Sequence, residues 1–192
     1  MTVKVYMAGP EIFFENGLEI IKIKADMVRA AGLEPLSPGD RPLPPCETPF
    51  ETGMAISASD EEMMLESDAI IANLTPFRGI SADPGTIFEV GFMCALNKPV
   101  FAYSNIADGH TARLMDYYRS AVTRASDGFL RGPDGMMVED CDMTENLMVD
   151  GGILRRHGIL TAAEDATTAA LDDLTEFRKC LVKASARLKA LA

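Results

Sequence analysis

Tyr6, Asp60, Asp83 and Glu89 are side chains whose types could do acid, base or nucleophilic chemistry. Neighbouring carboxyl groups in different environments divide nucleophilic and proton-handling work, because burial and nearby charge separate their pKa values. The sharpest stretch is Ala82–Gly91, ADPGTIFEVG. Gly85 allows close backbone approach, Thr86 is able to cap a helix, and Glu89 falls about one turn further on, near a pocket floor. A structural reading fits the same spacing. Thr86-x-x-Glu89 matches a capping box that only satisfies backbone donors, and the helix dipole favours a carboxylate there. Ser57, Ser59 and Asp60 likewise fit N-cap positions ahead of an acidic helix. Asp68 and Asp83 fit turns, and Tyr6 fits a core-facing strand. Spacing alone leaves both readings open.

These residues need a frame to bring them together. Val3–Ala8 (VKVYMA) reads as a buried strand that stops at Gly9-Pro10. In Gly17–Ala31, Leu18, Ile21, Ala25 and Val28 recur at helical spacing, with Gly32 placed as the C-terminal cap. Between Leu33 and Pro49 the prolines at 35, 38, 42, 44, 45 and 49 exclude a regular helix. A loop of that length suits a lid over a site. The pattern predicts a helix over Ala55–Ser67, a strand over Ala69–Leu74, a helix over Thr86–Leu96 and a strand over Pro99–Tyr103. From Asn105 to Gly152 only Ala112–Ala121 has a helical pattern. Thr161–Ala192 reads as a helix or helix pair, on Leu171, Leu174, Phe177, Leu181 and Leu188. Strands alternating with helices imply a parallel sheet with right-handed crossovers. The expectation is one α/β domain over residues 1–192: a doubly wound, flavodoxin- or Rossmann-like sandwich with a mostly parallel sheet of about five strands. In such sheets ligands bind at the carboxyl ends of the strands. There Tyr6–Pro10, Asn73–Asp83 and the helix beginning near Thr86 converge.

Composition narrows the partners. Lys and Arg total 18 against 29 Asp and Glu, a net charge of −11, so nucleic acid and anionic membrane surfaces are poor partners. No apolar run is long enough for a membrane helix, and the N-terminus lacks a secretory pattern, so the expected location is the cytoplasm. Cys46, Cys94, Cys141 and Cys180 are widely spaced and only His110 and His157 accompany them, which offers no metal-site spacing. The thiols are expected to be reduced.

Three segments in order, Val5–Pro10 (VYMAGP), Ser67–Leu74 (SDAIIANL) and Asp83–Gly91 (DPGTIFEVG), resemble the nucleoside 2-deoxyribosyltransferase family. Asn97-Lys98-Pro99-Val100 continues the match, which covers roughly the first 105 residues. The resemblance implies that Glu89 is the nucleophile and that Tyr6 orients its carboxylate. It implies that Asp60 and Asp83 bind the base and help move its proton, and that Gly9, Pro10 and Gly85 shape the substrate site. Asn146-Leu147-Met148 resembles a segment that reaches a neighbouring subunit's active site, which makes Asn146 and Met148 substrate-binding candidates in a homo-oligomer. The implied partners are deoxynucleosides and free nucleobases, with no cofactor and no metal. A 2-deoxyribosyl centre forms an oxocarbenium-like transition state readily, and a carboxylate is able to trap it as in retaining glycosidases.

Two other functions stay open on the sequence. One is hydrolysis of deoxynucleosides or of their 5′-monophosphates by an N-glycosidase of the same fold. Asp83 would repel a 5′-phosphate, by about 1 kcal/mol or more at 4 Å even in water. The other is a nucleotide-binding module without turnover. The Pro35–Pro49 loop and the insertion-like Asp127–Met137 segment leave the choice between purine-only and broad base exchange undecided.

Overall fold

In the computed structural model, which describes residues 2–156, 158–165 and 170–191, the frame is a five-stranded, all-parallel sheet. Its strands are β1 (Lys4–Ala8), β2 (Glu34–Leu36), β3 (Ala69–Asn73), β4 (Val100–Ser104) and β8 (Ile159–Ala162), in the order β2-β1-β3-β4-β8. Helices α1 (Gly17–Ala30), α2 (Pro49–Glu66), α3 (Pro84–Ala95), α5 (Leu147–Leu154) and α6 (Thr175–Leu191) connect or cover these strands. The strand order reverses between β1 and β3, where a doubly wound sheet opens a crevice at its carboxyl edge.

Strand periodicity sorts the core into two layers. Tyr6, Ala8, Ile70, Ala72, Val100 and Ala102 pack with Met63, Val90, Met93 and Ile153 from α2, α3 and α5. Their strand neighbours Val5, Met7, Ile71, Phe101 and Tyr103 pack on the opposite face with Val28 of α1 and with Phe177, Leu181 and Leu188 of α6. Successive strand residues point to opposite faces, so a strand buried on both sides reads as continuously apolar. The same alternation puts Tyr6 on the α3 side.

Several boundaries differ from the pattern-based expectation. The Pro-rich segment holds β2, which pairs only with β1 and so tolerates Pro35 as an edge strand does. Pro49 does not belong to that loop. It opens α2 six residues ahead of the expected start, where a first-turn proline loses nothing, and Thr48 and Glu51 form a true capping box there. The N-cap reading of Ser57, Ser59 and Asp60 is therefore overturned, since all three lie inside α2. At the other end, Thr161 and Ala162 are not helical but close β8 at the sheet edge, and α6 begins at Thr175. Gly158 permits that pairing, because a Cβ there would run into the Val100 carbonyl. Residues 166–169 and 192 of the expected helical segment lie outside the described residues.

The region after β4 contains α4 (His110–Tyr117), which overlaps the expected helical stretch Ala112–Ala121 but begins and ends earlier, and a small antiparallel sheet of β5 (Thr123–Arg124), β6 (Leu130–Arg131) and β7 (Met137–Val138). Two-residue strands carry too few residues to display a period. No helix among the described residues is long and apolar enough to cross a membrane.

Candidate active site

Two turns close the carboxyl edge of the sheet. After β1 the chain passes Gly9, where a Cβ would collide with the Glu11 carboxylate and sit 2.9 Å from the Asn73 Cβ. A single 3₁₀ turn, Pro10–Phe13, follows; it buries Pro10 and Glu11 and leaves Ile12 and Phe13 exposed on the pocket wall. Phe13 stacks on Phe77 with ring centroids 5.4 Å apart, and the Arg78 guanidinium lies over both rings. Glu11 anchors this turn. Its Oε1 accepts hydrogen bonds from Lys24 Nζ (2.7 Å), Asn73 Nδ2 (3.0 Å) and the Tyr103 hydroxyl (3.1 Å). Burial by itself would raise the Glu11 pKa, but Lys24 and Asn73 hold it below the ordinary carboxylate value.

After β3 the loop ends at Asp83, the N-cap of α3. Its Oδ2 accepts from the Thr86 amide at 2.9 Å and the Thr86 hydroxyl at 3.2 Å. Pro84 occupies the first helical turn, where its missing N–H is not needed. This corrects the capping-box reading: Asp83, not Thr86, caps the helix. Glu89 therefore sits well inside α3, and its Oε1 accepts the Tyr6 hydroxyl proton at 2.7 Å. Less than two turns of helix separate a carboxylate that holds the backbone from one that accepts the Tyr6 hydroxyl at the sheet edge.

Asp60 approaches from α2, on the same side as Ile56 and Ser59. The pocket enclosed by these pieces has a volume of about 460 Å³ and is lined by the carboxyl residues Asp60, Asp83 and Glu89. Gly9, Gly85 and Thr86 contribute to its floor. Pro38, Gly39, Arg41 and Leu43 of the Pro-rich loop close one side, as a lid does. Arg41 is tied back to α2 by Glu66 (2.7 Å) and Glu62 (3.5 Å).

The electrostatics follow from crowding acids in a half-dry space. Burial pushes Glu89 up to about 7; the Tyr6 hydrogen bond opposes this, and the charges of Asp60, Asp83 and Glu11 reinforce it. Burial also raises Asp60 above the ordinary carboxylate range. Tyr6 is raised by burial first and then by the Glu89 charge it hydrogen-bonds, so its proton stays on the phenol. Among the described residues, no group of three or more His, Cys, Asp or Glu side chains is arranged to hold a metal ion.

Of the residues expected from sequence, Tyr6, Gly9, Asp60, Asp83, Gly85 and Glu89 come together here. Pro10 starts the turn beneath the pocket and does not line it. Asn146 and Met148 lie elsewhere in the chain. The Asn146 side chain caps α5 through the Met148 amide (3.0 Å) and donates to Glu139 (2.7 Å), while Met148 is exposed. Ile12, Phe13, Arg41 and Ile56 were not anticipated as lining residues. The run Ile12-Phe13-Phe14, one residue past the Gly9-Pro10 turn, was the available signal for the first pair.

A family model described as nucleoside 2-deoxyribosyltransferase matches residues 5–148, well over half of the chain. The chain belongs to that family. The family is described as nucleoside 2-deoxyribosyltransferases, enzymes that act on nucleosides and nucleobases. An uncharacterized protein of Schizosaccharomyces pombe is 26% identical, with 88% of this chain and 87% of that protein covered. Among solved structures, a 2-desoxiribosyltransferase from Leishmania mexicana superposes with a TM-score of 0.63 at 24% identity, covering 96% of this chain and 97% of the other. A conserved protein from Enterococcus faecalis gives 0.58 at 18% identity, over 96% and 99%. These likenesses show that this chain shares the fold of both proteins.

Proposed function

We propose that this protein transfers the 2-deoxyribosyl group between nucleobases through a covalent glycosyl-enzyme on Glu89. The observation that carries the reading is the 2.7 Å hydrogen bond from Tyr6 to Glu89 at the floor of a pocket holding two further carboxyl groups. The bond leaves Glu89 Oε2 to attack C1′ of a bound deoxynucleoside. The N-glycosidic bond breaks, its electron pair leaves with the base, and Asp60 supplies the proton that neutralises the base. Burial suits Asp60 to that task by keeping a larger fraction protonated. An incoming base then attacks C1′ from the vacated side and gives up its N–H proton to Asp60, and the Glu89 carboxylate is released. Two inversions give net retention. Asp83 Oδ2 is engaged by the helix, which leaves Oδ1 for substrate.

Free nucleosides fit better than 5′-monophosphates. Three carboxyl residues line the pocket, and the guanidinium of Arg41 is already paired with Glu66 and Glu62. The site is completed, on this reading, by a second copy of the chain. Leu147, Met148 and Leu154 of α5 and Phe88 of α3 are exposed apolar side chains suited to such an interface.

The test is incubation of the purified protein with deoxyinosine, with and without adenine, followed by chromatography. Deoxyadenosine formed by the wild type and lost in Glu89→Ala supports transfer through Glu89. Hypoxanthine released without deoxyadenosine points to hydrolysis. Turnover of deoxynucleoside monophosphates alone overturns the free-nucleoside reading.

A further inference from the structure

Behind the loop that delivers Asp83 lies a buried ion pair that the mechanism above does not use. Arg113 of α4 and Glu145, just ahead of α5, are 8% and 1% exposed. Four of the five guanidinium N–H groups are engaged. It donates from Nε to the Ile80 carbonyl (2.6 Å), from Nη1 to the carbonyls of Asp108 (2.6 Å) and Thr144 (2.9 Å), and from Nη2 to Glu145 Oε2 (2.8 Å). Glu145 Oε2 also accepts the Ala82 amide at 3.3 Å. Two backbone groups, Ile80 and Ala82, are thus held immediately before the helix cap at Asp83. On the far side, Asp150 accepts the amides of Thr144 and Glu145, at 2.8 and 3.0 Å, which fixes the segment that carries the ion pair. His110 Nδ1 approaches Glu145 Oε1 at 3.3 Å without hydrogen-bond alignment.

We infer that Arg113 and Glu145 are positioning residues that set the Asp83 carboxylate for the base, an assignment that rests on the proposed transfer reaction. A buried charged pair seldom gains stability over an apolar one of similar size, so its hydrogen bonds are better understood as fixing geometry. Loops otherwise absorb displacements on the scale of an ångström, and a misplacement of that size is enough to slow a reaction about a hundredfold. A planar guanidinium ties three loops at once because its five donors have a fixed fork geometry, which a lysine lacks. Glu145 directly precedes Asn146, so the segment proposed to serve a neighbouring copy is anchored to the loop that serves its own site.

The test is a double-mutant cycle with thermal unfolding as the control for folding. Arg113→Lys and Glu145→Gln are each made alone and with Asp83→Asn, and kcat/KM is measured for transfer from deoxyinosine to adenine. Each single change is expected to lower kcat/KM about tenfold, and less than about twofold once Asp83 is already Asn, because coupled residues are non-additive. Equal losses in both backgrounds, or unchanged rates in folded variants, overturn the assignment. In parallel, amide exchange is followed in the unaltered chain. Residues 80–86 are expected to open together with 144–150, and independent, faster opening of 80–86 overturns it. That second measurement needs no turnover and no folded variant. A wild type without activity would sink the transfer reading alone.

Discussion

Glu89 and Tyr6 share one proton-sensitive bond, and its behaviour with pH is calculable in sign. Burial raises Glu89 to about 7, while the donated phenol proton favours its ionised form. Tyr6→Phe removes that stabilisation, so the Glu89 pKa moves higher still. In a pH profile of kcat/KM, the limb that rises through about 7 is expected to shift to higher pH, and an unmoved limb would mean that another group titrates there. Stability carries the same signature. Native Glu89 binds its proton more tightly than the unfolded chain does, so the stability it contributes is complete below the ordinary carboxyl pKa. That contribution is lost as pH rises through about 7. Glu89→Gln has no such loss. Its thermal midpoint is therefore expected to gain on the wild type between acidic and mildly alkaline buffer, while transfer falls on the order of 10⁴-fold.

At the scale of elements, the helix cap made by Asp83 and the substrate role proposed for it are separable by substitution. As the N-cap of α3 it satisfies the Thr86 amide, and asparagine caps a helix about as well. Asp83→Asn is expected to keep the unfolding midpoint near that of the wild type while slowing transfer. Asp83→Ala is expected to slow transfer and also to cost about 1 kcal/mol of stability. Denaturant titration of both variants decides this, and equal stability of the two would show that the cap contributes little. The lid follows a related logic. Prolines stiffen the segment between β2 and α2, the turn at Ser37–Asp40 is closed by two hydrogen bonds, and Arg41 pins it to α2. A segment without regular structure is thereby held as a wall of the pocket.

Across the whole molecule, the Glu11–Lys24 pair joins the turn after β1 to α1, β3, β4 and α6. Both side chains are almost fully buried, with the Lys24 ammonium 2.7 Å from the carboxylate and 4.9 Å from the Phe177 ring centre. Lys24→Met strands a buried carboxylate and is expected to destabilise the protein by about 3–5 kcal/mol. The double change Glu11→Gln with Lys24→Met removes both charges and is expected to recover most of that loss. Chemical unfolding of the three proteins measures the difference. No recovery in the double variant would mean that the hydrogen bonds to Asn73 and Tyr103, not the charges, hold this corner.

What could be recognised in the linear chain was whatever a local pattern records. Apolar runs ending in Gly-Pro or Asn revealed β1, β3 and β4, and helical spacing revealed α1 and α3, because burial on a face imposes a period. The ordered motifs around Tyr6, Asp83 and Glu89 pointed to the family. The edge strands β2 and β8 escaped, since three or four residues carry no period and Pro35 and Gly158 resemble loop chemistry. Which residue caps α3 and which partner Glu89 meets were likewise beyond the chain, because a cap and a pocket carboxylate need the same residues at the same spacing. Only the tertiary structure decided it, by placing Tyr6, 83 residues away in the chain, within hydrogen-bond reach of Glu89. The Glu11–Lys24 and Arg113–Glu145 pairs were hidden for the same reason. A charged residue looks solvated until folding removes the water around it and supplies its partner.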